Sequence, residues 1–195
     1  MKIDIKLSGV GGQGILSIAT VIGEAATEAG LHLKQAEVHG MSQRGGDVQS
    51  DLRLSTEEIF SDQIPLGTAN LIISMEPMEA LRYLPWLAKD GWIVTSSKPL
   101  VNIPNYPNEE ALQKELDAQP HVAKQDIDAL AREHMMPKSA NMILLGMAAP
   151  YIGILSAGQL RKAIEIIFAR KGERVVADNL RAFDLGYEAV NQKEK

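Results

Sequence analysis

A glycine-rich motif, Gly9-Val10-Gly11-Gly12-Gln13-Gly14, stands near the start of the chain. Its G-x-G-x-x-G spacing predicts a tight turn at Gly9, close approach of a ligand to the backbone at Gly11 and close helix-to-strand packing at Gly14. Such a turn leaves backbone N–H groups pointing outward at a helix N-terminus, where the helix dipole also favours an anion. We therefore predict that Gly9, Gly11, Gly12, Gln13 and Gly14 bind a phosphate, pyrophosphate or carboxylate. The alternative is a purely structural turn between a strand and a helix.

A second motif, Val38-His39-Gly40-Met41-Ser42-Gln43-Arg44-Gly45-Gly46, follows after about the span of one helix and one strand. It places an imidazole, a hydroxyl, an amide and a guanidinium between glycines, and loops of this kind often form binding sites. Arg44 can hold a phosphate or carboxylate in a bidentate geometry, and Ser42 and Gln43 are predicted to bind a cofactor with it. His39 is a candidate catalytic proton donor or acceptor, with a structural hydrogen bond as an equal alternative.

Hydrophobic periodicity indicates the elements that position these two motifs. Residues 3–8 alternate like a strand, residues 15–29 repeat like an amphipathic helix, and residues 31–38 form a second strand with Glu37 near its end. With later apolar runs such as residues 69–75, this pattern predicts a Rossmann-like α/β fold of three layers, with a mostly parallel sheet and helices on both faces. In a nicotinamide-binding domain an acidic residue about 20 positions after the glycines holds the ribose, a place that Glu37 roughly matches.

Later segments carry more specific expectations. Residues 47–55 alternate as a strand with one partly polar face, which suits a sheet edge or a subunit contact. Residues 78–87 are predicted to form a helix. Residues 101–108, rich in proline and asparagine, are predicted to form an irregular loop and are the best candidate for a mobile segment. Asn141 is a possible cap for a helix that is apolar all around, over residues 142–155.

Length and composition limit the classes of protein. The chain has 195 residues, which suits one domain over residues 1–195 with a sizeable core. It has no cysteine and therefore no thiolate for a zinc site, an iron–sulfur cluster or covalent catalysis, and we predict no metal site. A net charge of -5 with interspersed acidic and basic residues argues against nucleic acid or an anionic membrane as partner. The N-terminus enters a strand without the apolar core of a signal peptide, and we expect a cytoplasmic protein.

Together, the two motifs closely resemble those of the gamma-type domain of the 2-oxoacid:ferredoxin oxidoreductases. The form His39-Gly40-Met41-Ser42-Gln43-Arg44-Gly45-Gly46 is most similar to that of the indolepyruvate:ferredoxin oxidoreductase beta subunits. The run Asn141-Met142-Ile143-Leu144-Leu145-Gly146 is also similar to a helix start in that family. The resemblance extends over most of the chain, and it favours a subunit interface for part of the apolar helix.

The resemblance implies a subunit of an enzyme that oxidatively decarboxylates an arylpyruvate, attaches the acyl group to coenzyme A and passes electrons to ferredoxin. In that family, thiamine diphosphate, its magnesium and the iron–sulfur clusters belong to partner subunits or domains. This sequence agrees, because it has neither cysteines nor a Gly-Asp-Gly motif followed by Asn-Asn. We therefore expect a hetero-oligomer with a large thiamine- and cluster-bearing subunit. Coenzyme A is a candidate ligand of this chain.

Two other functions stay open. A self-contained nicotinamide-dependent dehydrogenase would use the glycine motif with Glu37, although no Tyr-Lys pair stands at an expected place. The other is a non-catalytic regulator that binds a nucleotide or coenzyme.

Overall fold

The computed structural model describes residues 1–39 and 45–191, with the backbone alone for His39. Within these residues six strands form one sheet, with the bounds β1 (Lys2–Val10), β2 (His32–His39), β3 (Asp47–Ser55), β4 (Ala69–Ser74), β5 (Leu87–Ser96) and β6 (Val122–Gln125). The helices of the same residues are α1 (Ile15–Glu28), α2 (Pro77–Arg82), α3 (Glu109–Asp117), α4 (Ile127–Glu133), α5 (Ala140–Ile152), α6 (Ala157–Phe168) and α7 (Glu173–Asn191). Short 3₁₀ turns follow α2 at Leu84–Trp86 and α6 at Ala169–Lys171.

The strands lie in the order β2-β3-β1-β4-β5-β6. β1, β4, β5 and β6 pair in parallel, whereas β3 runs antiparallel to both of its neighbours. Helices cover both faces of this sheet, which confirms the predicted three-layer α/β fold with a mostly parallel sheet. The expectation that residues 47–55 lie at a sheet edge is wrong, because β3 is inserted between β1 and β2. The edge strand on this side of the sheet is β2, and β6 forms the opposite edge.

The larger hydrophobic core lies between one face of the sheet and the helices α1, α5, α6 and α7. Ile5 and Leu7 of β1, Leu52 of β3 and Leu71 of β4 are fully buried in it. α5 is the central element of this layer. Ten of its residues are buried, namely Ala140, Met142, Ile143, Leu144, Leu145, Gly146, Met147, Ala148, Ala149 and Ile152. The chain itself therefore covers this apolar helix, and the expected subunit interface is not what buries it.

The opposite face of the sheet is polar where β1 and β3 pair. Arg53 Nε lies 2.8 Å from Asp4 Oδ1, and Lys6 Nζ lies 2.6 Å from Asp51 Oδ1. All four side chains are buried. Lys6 Nζ also lies 4.8 Å from the ring centres of two aromatic side chains, Tyr83 and Trp86. Each buried charge thus has a close opposite charge, which offsets the cost of removing it from water.

The helices α2 and α3 cover the rest of this polar face. The apolar contacts beneath them are made by Ile72, Ala80, Ile93 and Leu116. α2 begins at Pro77, whose missing N–H does no harm at the first helical position. It ends at Arg82, so the helix predicted over residues 78–87 is too long. Pro85 cannot donate to a helix and disfavours helical backbone at the preceding residue, and β5 already begins at Leu87.

Two glycines allow α5 and α7 to cross at backbone distance. A Cβ added to Gly146 of α5 would lie 2.0 Å from the Phe183 carbonyl oxygen of α7. A Cβ added to Gly186 of α7 would lie 1.9 Å from the Ile143 carbonyl oxygen of α5. Real Cβ atoms essentially never approach another atom within 3.0 Å. Glycine is therefore required on both helices.

We predict that Gly146→Ala destabilises the chain by roughly 1–3 kcal/mol or more, because α5 and α7 must separate and the core around them loosens. Gly23→Ala in α1 is the matched control, since its added Cβ would meet nothing closer than Leu33 Cδ2 at 3.5 Å. That change should be neutral or stabilising by up to about 1 kcal/mol. Urea unfolding measures both, and equal midpoints for the two variants would contradict the close helix crossing.

Candidate functional site

The glycine motif forms the turn between β1 and α1. β1 ends at Val10 and α1 begins at Ile15. Gly14 is the N-cap of α1 and adopts the left-handed conformation, with φ 83°. Gly12 also has a positive φ, 103°. These two positions need glycine because a Cβ would strain the backbone there.

Two glycines of the motif, Gly9 and Gly14, lie close to side chains of other elements. Gly9 is not the turn residue that the spacing predicts, because it lies within β1, and a Cβ there would be 3.1 Å from Met75 Cβ. The close neighbour of Gly14 is a residue of the helix α5, whereas the spacing predicts a strand there. Asn141 Nδ2 donates to the Gly14 carbonyl oxygen (3.1 Å). The predicted cap role of Asn141 is wrong, since Ser139 is the N-cap of α5. Asn141 instead ties the start of α5 to the glycine turn.

The turn uses part of its hydrogen-bonding capacity within the chain. The Val10 N–H donates to Gln13 Oε1 (2.7 Å), and the Gln13 N–H donates to the Val10 carbonyl oxygen (3.1 Å). Four N–H groups at the start of α1 have no acceptor among the described residues: those of Gly12, Gly14, Ile15 and Leu16. These amides are the ones that an anion can reach.

The two motifs meet at their described ends. The Gly11 N–H donates to the Gly46 carbonyl oxygen (2.8 Å), and the Gly45 N–H donates to the Gly11 carbonyl oxygen (3.3 Å). The end of the second motif therefore lies beside the glycine turn, at the carboxyl end of β1. Four predicted site groups lie outside the described residues: Ser42, Gln43, Arg44 and the side chain of His39. Their roles stay predictions.

Clefts open on both sides of the glycine turn. On the β3 side, a cavity of about 460 Å³ is lined by the turn and by apolar side chains, among them Val10, Leu16 and Val48. On the other side, a cavity of about 700 Å³ reaches the first residues of α5 and includes the charged residues Asp128, Lys138, Lys171 and Asp178. Both volumes suit a small molecule, for which about 300–1,000 Å³ is typical. The N-termini of α1 and α5 both line the larger cleft, which favours an anion there.

Acidic and phenolic side chains lie next to this edge, around α2. The Tyr83 hydroxyl donates to Asp47 Oδ2 (3.0 Å), and Arg82 donates twice to the Glu79 carboxylate (2.7 and 3.2 Å). Burial raises the pKa of Glu79, Arg82 opposes this rise, and the Asp47 carboxylate adds to it. Burial and then Asp47 likewise raise the pKa of Tyr83. The hydrogen bond from Tyr83 to Asp47 thus holds the start of β3. It lies next to Glu79, whose raised pKa disfavours the ionised form of its carboxyl group.

Glu37 is not where a nicotinamide ribose would need it. It pairs with Ser50 of β3, and Ser50 pairs in turn with Leu7 of β1. A whole strand therefore separates Glu37 from the strand that carries the glycine turn, whereas the corresponding strands of a dinucleotide fold are neighbours. Its carboxylate accepts a hydrogen bond from Gln35 Nε2 (2.6 Å) at the exposed sheet edge. This placement weighs against the dehydrogenase hypothesis.

Neither a metal centre nor a membrane span occurs in the described part of the chain. No three His, Asp or Glu side chains there come together so that they could hold a metal ion. None of the helices within residues 1–39 and 45–191 is long and apolar enough to cross a bilayer.

Comparison with protein families identifies the class of enzyme to which this turn, sheet and cleft belong. Residues 4–189 match the model of the pyruvate ferredoxin/flavodoxin oxidoreductase family, and the chain belongs to that family. Over 198 residues it is 35% identical to the indolepyruvate oxidoreductase subunit IorB of Thermococcus kodakarensis, with 97% of this chain and 96% of that protein aligned. Its identity to the same subunit of Pyrococcus horikoshii is 34%, with the same two shares. The resemblance inferred from the two motifs is confirmed.

Solved structures share the fold at lower sequence identity. The 2-oxoglutarate:ferredoxin oxidoreductase from Magnetococcus marinus, solved with 2-oxoglutarate, coenzyme A and succinyl-CoA bound, matches with a TM-score of 0.78. That match has 22% identity and covers 98% of this chain but 31% of the longer chain. A keto/oxoacid ferredoxin oxidoreductase gamma subunit from Geobacter sulfurreducens matches with a TM-score of 0.73 and 22% identity, over 97% of this chain and 99% of that one. Both likenesses support the α/β fold.

The raised pKa of Glu79 gives a prediction for stability against pH. Because its pKa in the folded chain lies above the ordinary value of 4.5, its stabilising contribution is full below that pH and is lost as the pH rises through the folded-state pKa. We expect the free energy of unfolding of the wild type, relative to that of Glu79→Gln, to fall as the pH is raised over the range above 4.5. Asp47→Asn should reduce the size of this fall, since it removes one cause of the shift. Urea unfolding across this range measures both, and a relative stability that rises with pH would refute the assignment.

Proposed function

We propose that this chain is the small subunit of an indolepyruvate:ferredoxin oxidoreductase, which converts an arylpyruvate and coenzyme A into acyl-coenzyme A, carbon dioxide and reduced ferredoxin. IorB subunits at 34% and 35% identity over nearly the whole chain support this assignment. The structural observation that carries it is the contact of Gly11 with Gly45 and Gly46. That contact brings two ligand-binding motifs to one open edge of the sheet.

In this proposal the chain is part of a hetero-oligomer. Thiamine diphosphate on the larger partner subunit would supply the decarboxylation chemistry, and iron–sulfur clusters there would carry the two electrons released by oxidation of the 2-oxoacid to oxidised ferredoxin. This chain has no cysteine to hold a cluster, which fits that division of roles. Its own part is to bind and orient the coenzyme that accepts the acyl group.

Coenzyme A is the ligand whose chemistry suits the open edge. It carries phosphate groups, and the cleft of about 700 Å³ is lined by two helix N-termini and by Lys138 and Lys171. Amides of Gly12 and Gly14 supply further donors at the same place. The structure of the Magnetococcus marinus enzyme contains coenzyme A, which supports this class of ligand. An anionic coenzyme is therefore the proposed occupant.

The second motif completes the proposed site. Arg44 would bind a phosphate of coenzyme A in a bidentate geometry, with Ser42 and Gln43 as neighbouring donors. His39 is the candidate proton donor or acceptor at the same edge. The chain would form one gamma-type domain over residues 1–195, in a complex that works in the cytoplasm with ferredoxin as electron acceptor.

The test is purification of the chain alone and of its complex with the co-expressed large subunit. We expect the complex, and not the chain alone, to reduce ferredoxin with indolepyruvate in a reaction that depends on coenzyme A. Parallel assays with other 2-oxoacids identify the preferred side chain. Turnover by the chain alone, or tight calorimetric binding of nicotinamide dinucleotides to it, would contradict the proposal and favour a dehydrogenase.

Arg44→Ala in the complex should raise the KM for coenzyme A by about 10- to 100-fold, because a hydrogen bond to a charged group contributes about 1.5–3 kcal/mol. The urea midpoint should change little. Arg181→Ala is the control for the loss of one positive charge, since Arg181 is exposed on α7. Steady-state kinetics at varied coenzyme A measure the effect, and an unchanged KM would remove Arg44 from the anion site.

A further inference from the structure

Residues 99–107, here called the strap, connect β5 to α3. The strap is irregular, as predicted, but a buried carboxylate holds it at two points. Glu76 Oε1 accepts hydrogen bonds from the Tyr106 hydroxyl and from the Leu100 N–H (3.3 Å). Its other oxygen, Oε2, accepts from the Glu79 N–H at the start of α2 (2.9 Å). Glu76 has no exposed surface, so the strap is attached to the protein interior.

Asn102, in the middle of the strap, reaches the end of the second motif. Its Nδ2 donates to the Gly45 carbonyl oxygen (2.8 Å). Gly45 in turn donates its N–H to the Gly11 carbonyl oxygen of the glycine turn (3.3 Å). Hydrogen bonds at Leu100, Tyr106 and Asn102, connected by the backbone of the strap, therefore join Glu76 to Gly45 and, through Gly45, to the glycine turn.

This path matters because hydrogen bonds, and not side-chain packing, hold Gly45 among the described residues. Its φ is 79°, and apart from its chain neighbours no described atom lies within 4 Å of the place that a Cβ would occupy. Glycine is the residue with the most backbone freedom, so hydrogen bonds must supply the order.

We propose that Asn102 is a positioning residue for coenzyme A. It holds Gly45 beside Gly11, so that the glycine turn and the residues next to it keep their places before an anionic ligand binds. This inference rests on the proposed function of the same site. Preorganisation raises affinity because the ligand does not have to order the loop when it binds. Asn102 is exposed and contributes one neutral hydrogen bond, so the expected effect is about fivefold.

The experiment compares Asn102→Ala with Asn105→Ala in the assembled complex. Asn105 is also exposed on the strap, and no hydrogen bond joins it to the described end of the second motif. Steady-state kinetics give the KM for coenzyme A and kcat, and hydrogen–deuterium exchange reports on the amides of Gly11 and Gly45. We expect Asn102→Ala to raise both the KM and the exchange rate by about fivefold, with kcat changed less than about twofold. Asn105→Ala should leave all three unchanged.

A double-mutant cycle tests the path through the strap. Tyr106→Phe removes the hydroxyl that binds Glu76 and should raise the KM for coenzyme A in the same direction. If Tyr106 acts through Asn102, then adding Tyr106→Phe to Asn102→Ala should raise the KM no further. If the effects of the two substitutions on ln KM add fully, Tyr106 does not act through Asn102 and the path is contradicted.

The outcomes separate this inference from the proposed function. If Asn102→Ala matches Asn105→Ala in a complex that depends on coenzyme A, the positioning role is overturned and the proposed function stands. Faster exchange with an unchanged KM also overturns it, because the contact is then only structural. A wild-type complex without turnover that depends on coenzyme A overturns both.

Discussion

The burial of α5 is the constraint on which the rest of this structure depends. A helix that is apolar on every side has no face for water, and burying each large aliphatic side chain contributes about 1.5–3 kcal/mol. α1, α6, α7 and the sheet share one core with α5, and the glycines at 146 and 186 let α7 approach its backbone. With α5 in this position, Asn141 in its first turn bonds to Gly14. The core therefore sets where the glycine turn lies.

The ion pairs between β1 and β3 set the register of the sheet beside that turn. Side chains alternate along a strand, so a slip of one residue would move Asp51 and Arg53 into the apolar layer. An unpaired buried charge costs about 3–5 kcal/mol, which disfavours the slipped register. The observed register places Val10 opposite Asp47. It thereby brings the residues just before Asp47, the end of the second motif, to the glycine turn.

The local parts of this arrangement could be predicted from the sequence, whereas its long-range parts could not. The strand, turn and helix around the glycine motif follow from neighbouring residues, and the resemblance of the two motifs to one enzyme family was confirmed by relatives. The place of β3 inside the sheet was missed because alternating polar residues look the same whether water or buried partners cover them. Asn141 was misread for a similar reason, since an asparagine before an apolar run resembles a cap whichever helix it serves. Pro85 was a visible signal that α2 is short.

The open edge supplies backbone amides and two lysines, with Asp128 and Asp178 in the same cleft. In the proposed function, these donors hold a coenzyme whose reactive end is far from its charges. Amides at helix N-termini and lysines favour anions. Gln13 and Asn141 bond to the glycine turn, and Asn102 bonds to Gly45 beside it. A ligand fixed by its phosphates keeps its other end free to reach a partner's active site. The reactive group of the ligand then has a high effective concentration in the partner's active site, although it makes no additional contact in that site. In the proposed function, anchoring of the coenzyme by this subunit thus serves chemistry that another subunit carries out.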